Sequence, residues 1–418
     1  MKLLIKNGNV VSLRDGLSGK LDVLAENGVI SEISEDISES AADTVINAEN
    51  LCVSAGLVDI MAKASEPAAD GEEDVLNLCH AAAKGGYTSV CVHTGADTPE
   101  KLKAVEETEP YCACGVIPAV RATDGKELLK YGDFKLYGAR AIYDDEPISD
   151  PLLMRDALFR ARKYGVPLLV RCKEKAFYNE GIARSGIMPE LMDIPQIPSC
   201  SESVIVARDI VLSAETGSAV HLAHISCADS VEIIRRAKAE GVKVTCSTEP
   251  PYFSLTNREL MGYNTLAKLD PPLGNRKDVE AVVRGIEDGT IDIIASGHTP
   301  RSDESKRKSL VTAPYGASSV EITLAASVTA LHREAGIPLA KVTDLLTAAP
   351  AELLGIKAGR IRVGDVADFC IFDKDHEFTV KGKNFISKGH NTPFENKKLY
   401  GMVLWTVKDG RVTWQTAK

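Results

Sequence analysis

The amino-acid sequence predicts an α/β protein, a TIM (β/α)8-type barrel with a small composite β-sandwich domain drawn from both chain ends. Two observations carry this prediction. In the middle of the chain, short apolar strands such as TSVCVH, VPLLVR, AVHLAHIS, VKVTCST and IDIIASGH alternate with helical stretches such as DPLLMRDALFRARKYG and CADSVEIIRRAKAEG, the alternation that builds a parallel barrel. At the ends the grammar changes to β-rich segments with Asn-Gly and Asp-Gly punctuation, and the two ends match each other in character.

Taken in order, LLIKNGNVVS and LDVLAENGVISEIS alternate apolar and polar residues around Asn-Gly turns, as antiparallel hairpin strands do. The expected boundaries are residues 1–52 for the first part of the β domain, 53–355 for the barrel and 356–418 for the second part, which includes ADFCIFDKDHEFTV and LYGMVLWTVKDGRVTWQ. In such a barrel chemistry sits at the C-terminal ends of the strands, so the last residue or two of each apolar run are the candidate positions. The connection SDESKRKSL, residues 302–310, reads as a solvated loop rather than an anion-binding patch.

Composition excludes several functions. A hydrophobic fraction of 44% in 418 residues supplies a sizeable core. The net charge is −10 with Lys and Arg spread along the chain, which argues against a nucleic-acid or acidic-membrane binder. No apolar run approaches the ~20 residues of a membrane span, and MKLLIKNGNVV turns polar too early for a secretory signal; a cytoplasmic location is the expectation. The ten cysteines show no paired framework, and Cys112 with Cys114 lacks the second pair of a structural zinc site, so they read as reduced, mostly buried thiols.

The run Leu51–Glu66, LCVSAGLVDIMAKASE, resembles the first barrel strand of dihydroorotases, dihydropyrimidinases and allantoinases, whose pattern is Pro-Gly-hydrophobic-Asp-x-His-x-His. GIEDGTIDIIASGHTP, the APYG segment with Glu321 downstream, LTAAPAELLGI, GRIRVGDVADFCIFD and SKGHNTPFENKKLYGMV follow in the family's order, and the Asn-Thr-Pro-Phe block is most similar to the dihydroorotase branch (class I type) of these cyclic amidohydrolases. The resemblance spans essentially the whole chain. It implies a zinc-dependent hydrolase of cyclic amides, in which a metal lowers the pKa of a bound water and an Asp shuttles the proton.

Position by position, the implied metal set is eroded. Met61, Ala62 and Lys63 stand where the family has His-x-His, and an ammonium has no lone pair to offer a metal. The Asp-Asp pair of one dihydroorotase subgroup is kept as Asp144 and Asp145, followed by Glu146 in place of glycine. VPLLVRCKE aligns with Ala-His-Cys-Glu and puts Arg171, which cannot ligate, at a histidine position. His224 is retained, while His221 lies further back on the strand in a packing role. The family's Thr-Pro-His-His has become Glu249, Pro250, Pro251 and Tyr252. IIASGHTPR aligns with Asp-His-Ala-Pro-His, so Gly297 replaces the shuttling Asp and His298 remains. On the substrate side, Ser65 stands where a carboxylate-binding Arg follows the His-x-His block, Thr94 near an expected Asn, and Asp270 in place of the Asn before Pro271.

These departures predict no bound metal or other cofactor, with Asp145 and His224 as the only weak ligand candidates, and no assignable general acid or base. Lys63 and Arg171 are expected to stand in for the absent dication and to pair with Asp145, Glu249 or a neighbouring carboxylate. The resemblance implies a place in pyrimidine biosynthesis, as a non-catalytic homologue in a structural or regulatory role. Such homologues are known as partners of aspartate carbamoyltransferase, so that enzyme, an active dihydroorotase, or further copies of this chain are the implied partners. Two alternatives stay open: a hydrolase of a dihydroorotate-, hydantoin- or allantoin-type amide using an altered or absent metal site, with His224, His298, Asp145 and Cys172 as survivors, and a sensor that holds an anion through Lys63 and Arg171.

Overall fold

The computed structural model describes residues 1–416 apart from 67, 69–71, 136 and 180. Eight parallel strands form one sheet in chain order: Leu57–Lys63, Tyr87–Ala96, Gly115–Val120, Ala141–Tyr143, Leu168–Arg171, Val220–Ala223, Val244–Thr248 and Ile293–Ile294. The first and last strands meet across the seam, where Lys63 N donates to His298 O (2.8 Å) and His298 N donates to Met61 O (3.2 Å). Asp59 fastens the same seam: its carboxylate accepts hydrogen bonds from Met61 N, Ser296 N and Ser296 Oγ. Burial pushes this carboxyl up to about 6 despite those donors.

The helices lie where the sequence places them. Pro151–Tyr164 begins at the Asp150 cap, which accepts from the Leu152 and Leu153 amides, and ends at Gly165 in the left-handed conformation. Ala228–Ala239 follows the sixth strand and packs against Cys200–Thr216. No helix among the described residues is long and apolar enough to cross a membrane.

The strands of both chain ends share a second, eight-stranded sheet. Its order runs Arg411–Gln415, Lys398–Lys408, Phe369–Thr379, Cys52–Ala55, Lys2–Ser12, Leu17–Glu26 and Val29–Ser34, with Thr44–Asn47 also on Lys2–Ser12. Asn27-Gly28 and Asp409-Gly410 are hairpin turns with positive φ at both residues, as their sequence signals predict. Asn7-Gly8, read as a turn, is instead a bulge inside the strand Lys2–Ser12. Any side chain at Gly8 would meet Val53 Cγ2 at 2.4 Å, so the glycine serves close strand packing.

In the 302–310 connection Ser302, Glu304, Arg307, Lys308 and Ser309 are exposed, as a solvated loop requires, but the segment is more than a loop. It contains a short helix, Asp303–Lys306, and Lys306 is buried, its ammonium donating to the carbonyls of Thr265, Lys268 and Pro314. A ready supply of backbone acceptors, which has no sequence signature, draws this lysine inward.

Candidate functional site

A cavity of about 390 Å³ opens at the C-terminal ends of the barrel strands, the face where a barrel places its chemistry. Met61 and Lys63 reach it from the first strand, His93 from the second, Asp145 from just beyond the fourth and Arg171 from the end of the fifth. Beyond the later strands come His224, Glu249, Pro251, Asp270, Gly297 and His298.

Four sequence candidates stand outside its walls, among them Cys172, a buried thiol directed to Val170 O. Asp144 turns back to accept from Ala122 N, Thr123 Oγ1 and Arg121 Nε, and burial pushes its carboxyl up to about 6. Asp145, not Asp144, faces the cavity. Ser65 is drawn away because its amide pairs with Glu73 O (2.9 Å). Thr94 has its hydroxyl buried in the second strand.

The cations meet carboxylates. Lys63 Nζ lies 2.5 Å from Asp145 Oδ2, and this ammonium holds the carboxyl below its usual range against the opposing effect of burial. Arg171 pairs with Asp270 (Nη2 to Oδ2, 2.7 Å) and donates through Nη1 to the Asp145 carbonyl (3.1 Å). Lys173 shares Asp270 at 2.9 Å and lies over the Tyr178 ring. The expectation that Arg171 meets a neighbouring carboxylate therefore singles out Asp270, whose carbonyl also accepts from Nη2.

His224 is fully engaged on both sides. Nδ1 is hydrogen-bonded to Glu249 Oε1, and Nε2 lies 3.2 Å from Tyr143 Oη. Tyr143 in turn sits edge-on to His93, with ring centroids 4.3 Å apart. His93 Nε2 donates to Ile60 O (2.8 Å), and burial pushes the imidazole down to about 4, so it is neutral. His221 bonds Thr245 Oγ1 and Ser247 Oγ within the barrel wall. Gly297 has φ of +64°, and a Cβ there would fall 2.2 Å from Glu249 Cδ. The Glu249 carboxylate thus fills the space in which a side chain at position 297 would begin.

These donors do not fit a zinc ion. Zinc wants three or four N, S or O ligands in a tetrahedral array. Here both His224 nitrogens have partners, and Asp145 and Asp270 are neutralised by Lys63, Arg171 and Lys173. Among the described residues no three His, Cys, Asp or Glu side chains are grouped to hold a metal.

Sequence reasoning passed over Tyr143, His93, Lys173, Arg301 and Tyr315, which also line the cavity. Tyr143 and His93 lie at or near strand ends, so position alone could have singled them out; Arg301 and Tyr315 come from the connection after the last strand and carry no such signal.

The amidohydrolase family profile matches residues 45–413. A dihydroorotase from Acetivibrio thermocellus is 37% identical over 419 residues, covering 98% of each chain, and one from Pelotomaculum thermopropionicum is 37% identical over 429 residues, covering 99% of each. Among solved structures, a D-hydantoinase superposes with a TM-score of 0.85 at 20% identity, covering 99% of this chain and 95% of its own. A dihydropyrimidinase from Brevibacillus agri gives a TM-score of 0.83 with the same identity and coverage. At that identity the structural likeness speaks for the fold alone. The profile match over residues 45–413 and the dihydroorotase relatives together establish that the chain belongs to the amidohydrolase family.

Proposed function

We propose that this chain is a dihydroorotase-type homologue that keeps the amidohydrolase scaffold and a ligand-sized cavity but does not perform metal-assisted hydrolysis, and that its role is structural or regulatory. The observation that carries the reading is the Glu249–His224–Gly297 arrangement. Glu249 occupies the space beside Gly297 and binds His224, so one carboxylate closes off a retained imidazole and the position that the resemblance assigns to the proton-shuttling Asp. The Lys63–Asp145 pair adds support, since an ammonium already satisfies the carboxylate facing the cavity. Assembly with aspartate carbamoyltransferase, an active dihydroorotase or further copies of the chain belongs to the same proposal.

A second reading, a metal-free hydrolase of a cyclic amide, is favoured by the Glu249–His224–Tyr143 chain, because a carboxylate that orients an imidazole is the arrangement of a general base. Elemental analysis combined with dihydroorotate and hydantoin hydrolysis assays, with and without added zinc, separates the readings. The expected result is substoichiometric metal and no turnover above buffer. Zinc-dependent turnover would overturn the proposal, and zinc-independent turnover abolished by His224→Ala would establish the second reading. Co-purification with aspartate carbamoyltransferase tests the partner.

A further inference from the structure

Three of the ten free cysteines gather at one point. Cys79 belongs to the helix Val75–Lys84, which follows the first barrel strand. Cys112 follows the short turn Glu109–Tyr111, and Cys114 directly precedes the third strand, Gly115–Val120. Cys79 and Cys114 are members of one buried cluster, and Cys112 packs against it. The Cys79 thiol lies within hydrogen-bonding reach of the other two, so it is the neighbour that they share.

The three differ in their access to solvent. Cys79 is 0% exposed and Cys114 3%, whereas Cys112 is half-buried beside Tyr111, which is 76% exposed. Cys112 Sγ also donates to Thr108 O (3.6 Å), the carbonyl at the end of the preceding helix Pro99–Thr108. A single buried thiol needs no account beyond packing, because a free Cys behaves as a small apolar residue. A thiol that solvent reaches, standing against one that it does not, is the arrangement of an attacked and a resolving cysteine.

The solvent-reachable thiol is not primed for fast reaction. Contact with Cys79, then burial, then the carboxylates of Glu109 and Glu66 push the Cys112 thiol up. Its thiolate fraction is therefore small, and exchange through it is slow.

We propose that Cys79 and Cys112 form a reversible disulfide by exchange with a low-molecular-weight disulfide of the glutathione class. Cys112, after losing its proton to solvent, attacks one sulfur of the oxidant, breaks its S–S bond and releases one small thiolate, which takes up a proton. Cys79, deprotonated in turn, attacks the Cys112 sulfur of the mixed disulfide and expels the second small thiolate. Two cysteine thiols are oxidised, one small disulfide is reduced to two thiols, and no proton is gained or lost overall. The bond ties the first barrel helix to the approach of the third strand. The three thiols stand outside the cavity walls, so the inference goes beyond the proposed function and holds whether or not the cavity hydrolyses anything.

The test starts from the reduced full-length protein, treated with oxidised glutathione for hours, the timescale of uncatalysed exchange. Free thiols are then capped with N-ethylmaleimide, and the peptides are mapped by mass spectrometry without reductant. Cys200 is exposed on another helix, and its glutathione adduct shows that the oxidant is active. The expected product is a peptide cross-linked through Cys79 and Cys112, with Cys114 capped, that dithiothreitol returns to its two halves. Cys112→Ser should abolish the cross-link, and Cys79→Ala should leave Cys112 as a lasting glutathione adduct. Cys79 and Cys112 stand 33 positions apart, and closing a loop of that length restricts the unfolded chain. Oxidation should accordingly raise the melting temperature of the wild-type protein by a few degrees and leave that of Cys112→Ser unchanged. Should either variant fail to fold, the wild-type map decides alone. Three results would each overturn the proposal: Cys200 modified while Cys79 and Cys112 are both capped, a lasting Cys112 adduct in the wild-type protein, or a cross-link that runs through Cys114.

Discussion

Gly297 and Glu249 are mutually exclusive with larger neighbours: a Cβ on Gly297 would lie 2.2 Å from Glu249 Cδ and 2.3 Å from Oε2. Gly297 also holds φ of +64°, a conformation in which a side chain adds roughly 1 kcal/mol of strain. The bare glycine at 297 and the carboxylate at 249 are therefore coupled in space, although 48 positions separate them in the numbering.

That coupling predicts the outcome of placing a carboxylate at position 297. Gly297→Asp alone should destabilise the fold by about 2–4 kcal/mol, from overpacking and like-charge contact with Glu249. Glu249→Ala alone should cost about 1–3 kcal/mol by leaving His224 without its buried partner. The double variant should lose clearly less than the two singles together, because the clash is absent once Glu249 is gone. Urea denaturation of the four proteins measures this, and strict additivity would show that the two sites are independent.

Arg171 gives a second prediction. Orphaning a buried charge costs about 3 kcal/mol, but Asp270 keeps Lys173 when Arg171 is removed. Arg171→Ala should therefore cost about 2 kcal/mol, and Arg171→Ala with Lys173→Ala distinctly more than the sum of the two singles, since only then is Asp270 left bare. Burial and the two cations oppose each other at Asp270, and the cations hold its carboxyl below the ordinary range. A loss near zero for the double variant would mean that Asp270 is effectively solvated.

Much of the fold could be read from the sequence because its signals are local. The Asp150 cap, Gly165 and the Asp409-Gly410 turn all act within a few residues of themselves. Asn7-Gly8 could not be read correctly, since Val53, on another strand, decides between turn and bulge. The site divides in the same way. That Lys63, Arg171 and Gly297 cannot serve a metal follows from their chemistry alone, whereas the partners Asp270 for Arg171 and Glu249 for the space at Gly297 arise only when distant strand ends are brought together. Lys306 was misleading for a different reason: its partners are carbonyls, which every residue type supplies.

Lys306 makes the last prediction, on pH. Burial first, then the charges of Arg301 and Lys268, push its ammonium down to about 7, against about 10.4 in an unfolded chain. The groups facing it are those two cations and the carbonyls of Thr265, Lys268 and Pro314; Asp303 on its own helix is turned to His390. Between about pH 7 and pH 10 the unfolded chain keeps a proton that the folded chain has released, so the unfolded state binds more protons and stability rises with pH across that window. Below pH 7 both states carry the proton, and the fold bears the full cost of a buried, repelled charge. Lys306→Met removes the titration while keeping the bulk of the side chain. The difference in unfolding free energy between pH 9.5 and pH 6.5 should then be larger for the wild-type protein than for the variant, by on the order of 3 kcal/mol. An equal pH response in the two proteins would mean that Lys306 stays charged in the fold, with the three carbonyls outweighing its burial.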